Sequence, residues 1–242
     1  TKPIPSFTIT GYIDGYFRYD FANPLHQTNN YTSFTNTKNK LALGMASIKL
    51  DKSLGKFAGT LDLGYGKRAE EFSYNDKGLL TLIKQAFVSY SVTERLKITA
   101  GKWGTHVGYE LLDAPLNRNY SMSYGFSYGP FFHTGVKADY ALSAKSNVMI
   151  GVANPTDFVT TKSTTKVILA QFSTKLFNDI TTLYVNFLGG NTGGDNNFNQ
   201  FDVVIINSIS AKWAINYDGT LYAASINGKK SSWKSNALYV NY

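Results

Sequence analysis

SFTITGYIDGYFRYDF, residues 6–21, alternates over its whole length. Phe7, Ile9, Gly11, Ile13, Gly15, Phe17, Tyr19 and Phe21 share one side; Thr8, Thr10, Tyr12, Asp14, Tyr16, Arg18 and Asp20 share the other. A period of two belongs to an extended strand, whose successive side chains point to opposite faces. One face of this strand is greasy and the other is wet. The pattern returns in KFAGTLDLGYG (56–66), where Ala58, Thr60, Asp62 and Gly64 oppose Phe57, Gly59, Leu61, Leu63 and Tyr65. It returns again in FFHTGVKADY (131–140), where His133, Gly135, Lys137 and Asp139 oppose Phe132, Thr134, Val136, Ala138 and Tyr140.

Working outward from these segments gives twelve strands, near 6–21, 41–51, 56–70, 82–92, 96–108, 131–141, 147–154, 167–175, 180–189, 201–207, 212–219 and 233–242. Short connections such as DKSLGK, VTERLK, LSAKSN, LFND and NSISAK take turns with longer ones at 22–40, 71–81, 109–130, 155–166, 190–200 and 220–232. Short turns at one end and long loops at the other describe an all-β, transmembrane, antiparallel up-and-down β-barrel with tight periplasmic turns and external loops. Soluble sandwiches and ligand-binding barrels also alternate. A soluble ligand barrel, however, has about eight strands around an apolar interior. Twelve strands enclose more space than these apolar side chains fill, whereas lipid accepts them facing outward. Asp14, Arg18, Asp20, Asp62, Lys137, Asp139 and Asp202 are then expected to line a wet interior and stay solvated.

Composition agrees. Apolar residues make up 43% of the 242, yet no run of them exceeds four, so the roughly 20 consecutive apolar residues of a membrane-spanning helix are missing. The 17 Tyr and 16 Phe suit aromatic girdles at a membrane interface. With no cysteine there is no disulfide scaffold, thiolate zinc site or thiol nucleophile. The formal charge of +8 comes from bases scattered in ones and twos, without the clustered stripe that nucleic-acid binding shows. Nothing marks a linker, so one domain spanning 1–242 is expected, and the opening TKPIPS reads as a processed terminus.

The run AGKWGTHVGYELLDAPLNRNYSMSYGFSYGPFFHTGVKADYAL, residues 100–142, resembles the signature region of the OmpL-like β-barrel porin family of Gram-negative outer membranes. The likeness lies in the order of its parts: a GK-aromatic strand, GYE, DAP, NYS, and the HTGV that starts the next strand. It extends loosely through GYIDGYFRYDFANP, LDLGYG, WAINYDG and ALYVNY. The resemblance implies a lipid-embedded barrel with a porin-like role and brings no catalytic residues. Members run about a hundred residues further, so additional C-terminal strands are expected, although Leu238, Val240 and Tyr242 alternate as a terminal assembly signal would.

Stretch 101–121 gathers Lys102, His106, Glu110, Asp113, Arg118 and Ser121, the residue types of an active site. It lacks a nucleophile elbow, a fixed His–Ser spacing and a pair of oxyanion donors, so no catalytic residue is assigned. His26, His106 and His133 show no metal-ligand spacing, and NTGGDNN (191–197) has too few acids for calcium, so no metal or cofactor is expected. That run reads as a flexible loop tip.

The function expected is a passive channel for small hydrophilic solutes, the alternative being a non-transporting barrel docked in an outer-membrane complex. Candidate lining or constriction residues are Asp14, Arg18, Asp20, Asp62, Lys102, Glu110, Asp113, Arg118, His133, Lys137, Asp139 and Asp202. Loop 109–130 is expected either to pack externally or to fold inward, setting Glu110 and Asp113 against Arg18, Lys102 or Lys137. Expected partners are outer-membrane lipid including lipopolysaccharide, the solutes, and other outer-membrane proteins.

Overall fold

The computed structural model describes residues 7–21, 31–194 and 196–242. Twelve strands follow in chain order: β1 (Thr8–Arg18), β2 (Lys40–Leu54), β3 (Phe57–Tyr65), β4 (Ile83–Ser91), β5 (Leu96–Gly104), β6 (Phe132–Ala141), β7 (Ser146–Ala153), β8 (Val167–Leu176), β9 (Thr181–Gly193), β10 (Asn196–Ser208), β11 (Ala214–Ile226) and β12 (Lys229–Asn241). Each pairs antiparallel with its sequence neighbours in one sheet ordered β1 to β12. Two short helices, α1 (Lys67–Phe72) and α2 (Tyr124–Tyr128), lie in the β3–β4 and β5–β6 connections. No helix among the described residues is long and apolar enough to cross a membrane.

All twelve expected strands are present, with three corrections of extent. The strand expected over 96–108 stops at Gly104, and 105–108 already belong to the connection that follows. The strand expected over 56–70 stops at Tyr65. Gly66 turns the chain at φ 125°, and a Cβ there would lie 2.8 Å from the Gly44 carbonyl oxygen. Lys67 then pairs with Glu70 and Glu71 at 3.6 and 3.2 Å, the one-turn spacing of a helix. At the other end of the chain, the loops expected at 190–200 and 220–232 are mostly strand. β9 and β10 almost meet, and β11 turns into β12 through Asn227 and Gly228, at φ 50° and 74°. That Asn-Gly pair is the two-residue hairpin turn whose twist matches the flanking strands. His26, Pro24, Asn29 and Asp195 lie outside the described residues.

The sheet is curled. Laid flat, eleven strand spacings would separate β1 from β12 by about 53 Å. Tyr12 of β1 donates a hydrogen bond to Asp113 at 3.0 Å, while the Tyr239 ring of β12 packs at a tilt against Tyr109 with centroids 4.5 Å apart. Residues 109 and 113 can lie at most about 14 Å apart. One short stretch therefore touches both edge strands, which among the described residues are not paired with each other.

Exposure follows the alternation. Ile13, Phe17, Leu41, Val88, Ile150, Phe201 and Leu238 stand exposed on the outer face, while Asp62, Thr99, His133, Asn186, Asp202 and Asn216 are buried on the inner one. An apolar face of that extent on a water-soluble protein would be an association surface; facing lipid it matches its solvent.

The interior corrects the expectation of solvated charge. Asp62 and Asp202 are each only 1% exposed, because the connections fold onto the inner wall. Phe34, Ala69, Phe72, Leu112, Met122, Phe126 and Phe131, from three connections, cluster with Met45 of β2 and Phe132 of β6. A second cluster gathers Trp103, Met149, Val167, Leu169, Leu188 and Phe198 from the strands with Val107 from the β5–β6 connection.

Candidate functional site

The β5–β6 connection, residues 105–131, runs inside the curl, and its own sequence supplies the contacts that keep it there. It leaves β5 with the Thr105 hydroxyl 3.1 Å from His133 Nε2 and His106 Nε2 3.0 Å from the Phe187 carbonyl oxygen of β9. Gln171 of β8 donates to the His106 carbonyl at 3.2 Å. Gly108 N donates to Asp202 of β10 at 3.1 Å, and Tyr109 N donates to Asp218 of β11 at 2.8 Å. Asn216 donates to the Tyr109 hydroxyl at 2.9 Å.

The segment then crosses to the other wall. Lys84 of β4 reaches Asp113 at 2.6 Å and Asp62 of β3 at 3.0 Å, with Ser47 of β2 accepting at 2.9 Å. Arg68 of α1, fully buried, donates to the Leu112 and Tyr120 carbonyl oxygens at 3.1 and 2.6 Å. Its guanidinium lies 4.7 Å from the Tyr120 ring and its Nε is 4.0 Å from Asp14. The Tyr120 hydroxyl donates to Asp14 itself. This close approach depends on Gly44, the extra residue of a β-bulge between β1 and β2: a Cβ there would stand 2.2 Å from Asp14 Oδ2 and 2.6 Å from the Tyr120 hydroxyl. On its way back the segment is tied by Ser123, whose N–H donates to Glu110 at 3.0 Å and whose hydroxyl bonds the same carboxylate. Asp157 of the β7–β8 connection accepts from Phe131 N and Phe132 N at 2.7 and 2.9 Å.

Burial sets the ionisation of these connecting residues. It lowers His106 to about 4, leaving the imidazole neutral near pH 7. It raises Asp157 to about 7 against the pull of its two N–H donors and Tyr74, and it raises Glu110 against the hydrogen bonds from Ser123.

Several expected partners are different. Glu110 and Asp113 do not face Arg18, Lys102 or Lys137. Arg18 donates to the Thr35 carbonyl at 3.0 Å. Lys102 is buried beneath the β3–β4 connection, 3.1 Å from Ser73 and 3.4 Å from Asp76. Lys137 lies 3.8 Å from Asp139 on its own strand. Asp20 follows β1, its backbone N–H donating to Asn39 at 3.1 Å. Arg118 stands exposed beside Ser208, Lys212 and Trp213 of the β10–β11 turn.

The groups that hold the segment, Arg68 and Lys84, escape period-two reasoning. Arg68 falls where a strand was expected but sits in α1. Lys84 shares its parity with Val88 and Tyr90, which face outward. The ladder, however, pairs Asp62 with Gln85 and Leu63 with Ile83, so Lys84 is a bulge residue released to turn inward.

A cavity of about 290 Å³ remains between segment and wall, lined by Lys84, Gln85, Glu110, Leu112, Asp113 and Phe131 among others. His106 and His133 lie with ring centroids 5.4 Å apart. Ser123 is engaged by Glu110 and by Phe126 N. Among the described residues neither imidazole is hydrogen-bonded to a serine, and no cluster of three or more His, Cys, Asp or Glu could hold a metal ion.

The family model described as "Putative beta-barrel porin-2, OmpL-like" matches residues 6–242. No curated protein matches the sequence. Among solved structures, the outer membrane channel DcaP of Acinetobacter baumannii superposes with a TM-score of 0.55 at 11% identity, over 100% of this chain and 80% of that one. At that identity the likeness is one of fold alone.

Proposed function

The chain belongs to the OmpL-like β-barrel porin family, and on that premise we propose that it is an outer-membrane channel passing small hydrophilic solutes passively through an interior narrowed by residues 105–131. The observation that carries this reading is the span of the segment: it is bonded to β1 and β4 on one wall and to β8, β9, β10 and β11 on the other. An inserted loop of this kind reduces the lumen to the space beside it and lines that space with its own charges. Among the twelve residues expected to line or constrict the path, Asp14, Asp62, Asp113, Glu110 and Asp202 act here as anchors or neighbours of the segment. His133 contacts its root. Arg18, Asp20, Lys102, Lys137, Asp139 and Arg118 have the surroundings described above.

A second reading, a non-transporting structural or docking barrel, is favoured by the nine-residue apolar cluster packed among the connections. Planar-bilayer recording of purified protein separates the two. We expect small, stable, stepwise openings. A barrel that is folded by heat-modifiable migration yet silent at every insertion sinks the channel reading and leaves the structural one. Contacts with outer-leaflet lipid, lipopolysaccharide included, form part of either reading.

A further inference from the structure

The outer faces of β10, β11 and β12 form a grid through their ladders. Phe201, Leu221 and Lys234 make one row; Asn199, Ala223 and Ser232 make the next; Asn197, Ser225 and Lys230 make the third. The face therefore changes from apolar to amide, hydroxyl and ammonium within two residues of each strand. The change comes on the approach to the β9–β10 and β11–β12 hairpins, at the end of the sheet that carries the long connections. Strand length is the cause: β9 to β12 have 13 residues each, against 8 in β7, so these four continue beyond an apolar band about 25 Å tall. An open cavity of about 420 Å³ lies in the two polar rows, lined by Asn197, Asn199, Ser225, Lys230 and Ser232. Among the described residues no acid lines it, and neither Lys230 nor Lys234 makes an ion pair.

We infer that this face binds a phosphorylated glycolipid of the outer leaflet, the headgroup class of lipopolysaccharide. Phe201 and Leu221, each 54% exposed, offer acyl chains an apolar wall. Lys234, at the boundary row, meets a phosphate at the level where acyl chains join the sugar. The Asn and Ser rows supply donors and acceptors for sugar hydroxyls, and Lys230, about 13 Å further along the strand, meets a second anionic group. Two unpaired ammonium groups flanking uncharged polar side chains complement a headgroup that carries charge at its ends and hydroxyls between. A second copy of this chain would place lysine against lysine. The inference rests on the outer-membrane placement but not on conduction, so a silent barrel would still bind the lipid, and loss of lipid binding would leave conductance unchanged.

The test is native mass spectrometry of the folded protein in detergent with added bisphosphorylated lipid A, dephosphorylated lipid A, or inorganic phosphate. We expect retention of the bisphosphorylated lipid, at least tenfold weaker binding of the dephosphorylated one, and no displacement by millimolar phosphate. K230E/K234E should lose binding at least tenfold. K56E/K212E, the same charge change at the short-turn end, should bind as the wild type does. Wild-type binding by K230E/K234E, an equal loss in K56E/K212E, displacement by free phosphate, or a protein dimer in place of the lipid adduct would each overturn the assignment.

Discussion

Replacement of residues 112–128 by a short Gly/Ser link will raise single-channel conductance severalfold. The deleted stretch contains Asp113, which closes the Lys84 and Tyr12 contacts, and Tyr120, which reaches Asp14. It also contains Leu112, Met122 and Phe126 of the apolar cluster. Without them the segment no longer bridges to β1 and β4, and the path widens to the connections that remain inside, Phe34 and α1, and to the inner faces of the strands. Burying three such side chains contributes about 5–9 kcal/mol, so the variant will melt at a lower temperature. The ladders from β1 to β12 are untouched and should keep it folded and heat-modifiable. Unchanged conductance in that folded variant would mean that the segment does not set the width of the path.

Arg68→Ala will lower stability and loosen the inward segment. The guanidinium is the fully buried link between α1 and the inward segment, and removing it leaves the Leu112 and Tyr120 carbonyl oxygens without their donor. Hydrogen bonds from a charged donor contribute about 1.5–3 kcal/mol each, so a loss of about 3 kcal/mol is expected, seen as a lower unfolding midpoint in detergent. Because the freed segment fluctuates, open-channel current noise should rise with mean conductance. Arg68→Lys should recover only part of the loss, since one ammonium group cannot reproduce the planar fork that serves both carbonyls. Wild-type stability and a quiet open channel in Arg68→Ala would remove Arg68 from its role as the pin.

Much of the wall is legible from residues alone. Phe7 to Phe21 state a period of two, and the same period places Asp62, His133 and Asp202 on the inner face where they are found. The plug is much less legible. Period two fails at a bulge, so Lys84 carries an outward parity and an inward side chain. It fails again where Gly66 breaks β3 and sends Arg68 into a helix, although Lys67, Glu70 and Glu71 show helical spacing in the sequence. The β1 partners of Asp113 and Tyr120, Tyr12 and Asp14, lie 101 and 106 residues away, on a strand whose approach depends on the curl of the whole sheet. No local pattern encodes that distance. Asn227–Gly228 is the opposite case: a two-residue turn signal outweighs a run of polar residues that otherwise resembles a long loop.

The absence of cysteine allows the placement of residues 105–131 inside the barrel to be measured directly. A Cβ built on Gly125 of α2 would stand 3.3 Å from Ser235 Cβ on the inner face of β12, close to the separation of about 3.5–4.5 Å that a disulfide requires. A Gly125→Cys/Ser235→Cys variant is expected to form an intramolecular disulfide joining positions 125 and 235 on mild oxidation, identified by mass spectrometry of the digested protein. Two free thiols after oxidation, with the one at 125 reacting on whole cells with an impermeant maleimide, would place the segment outside and contradict the account.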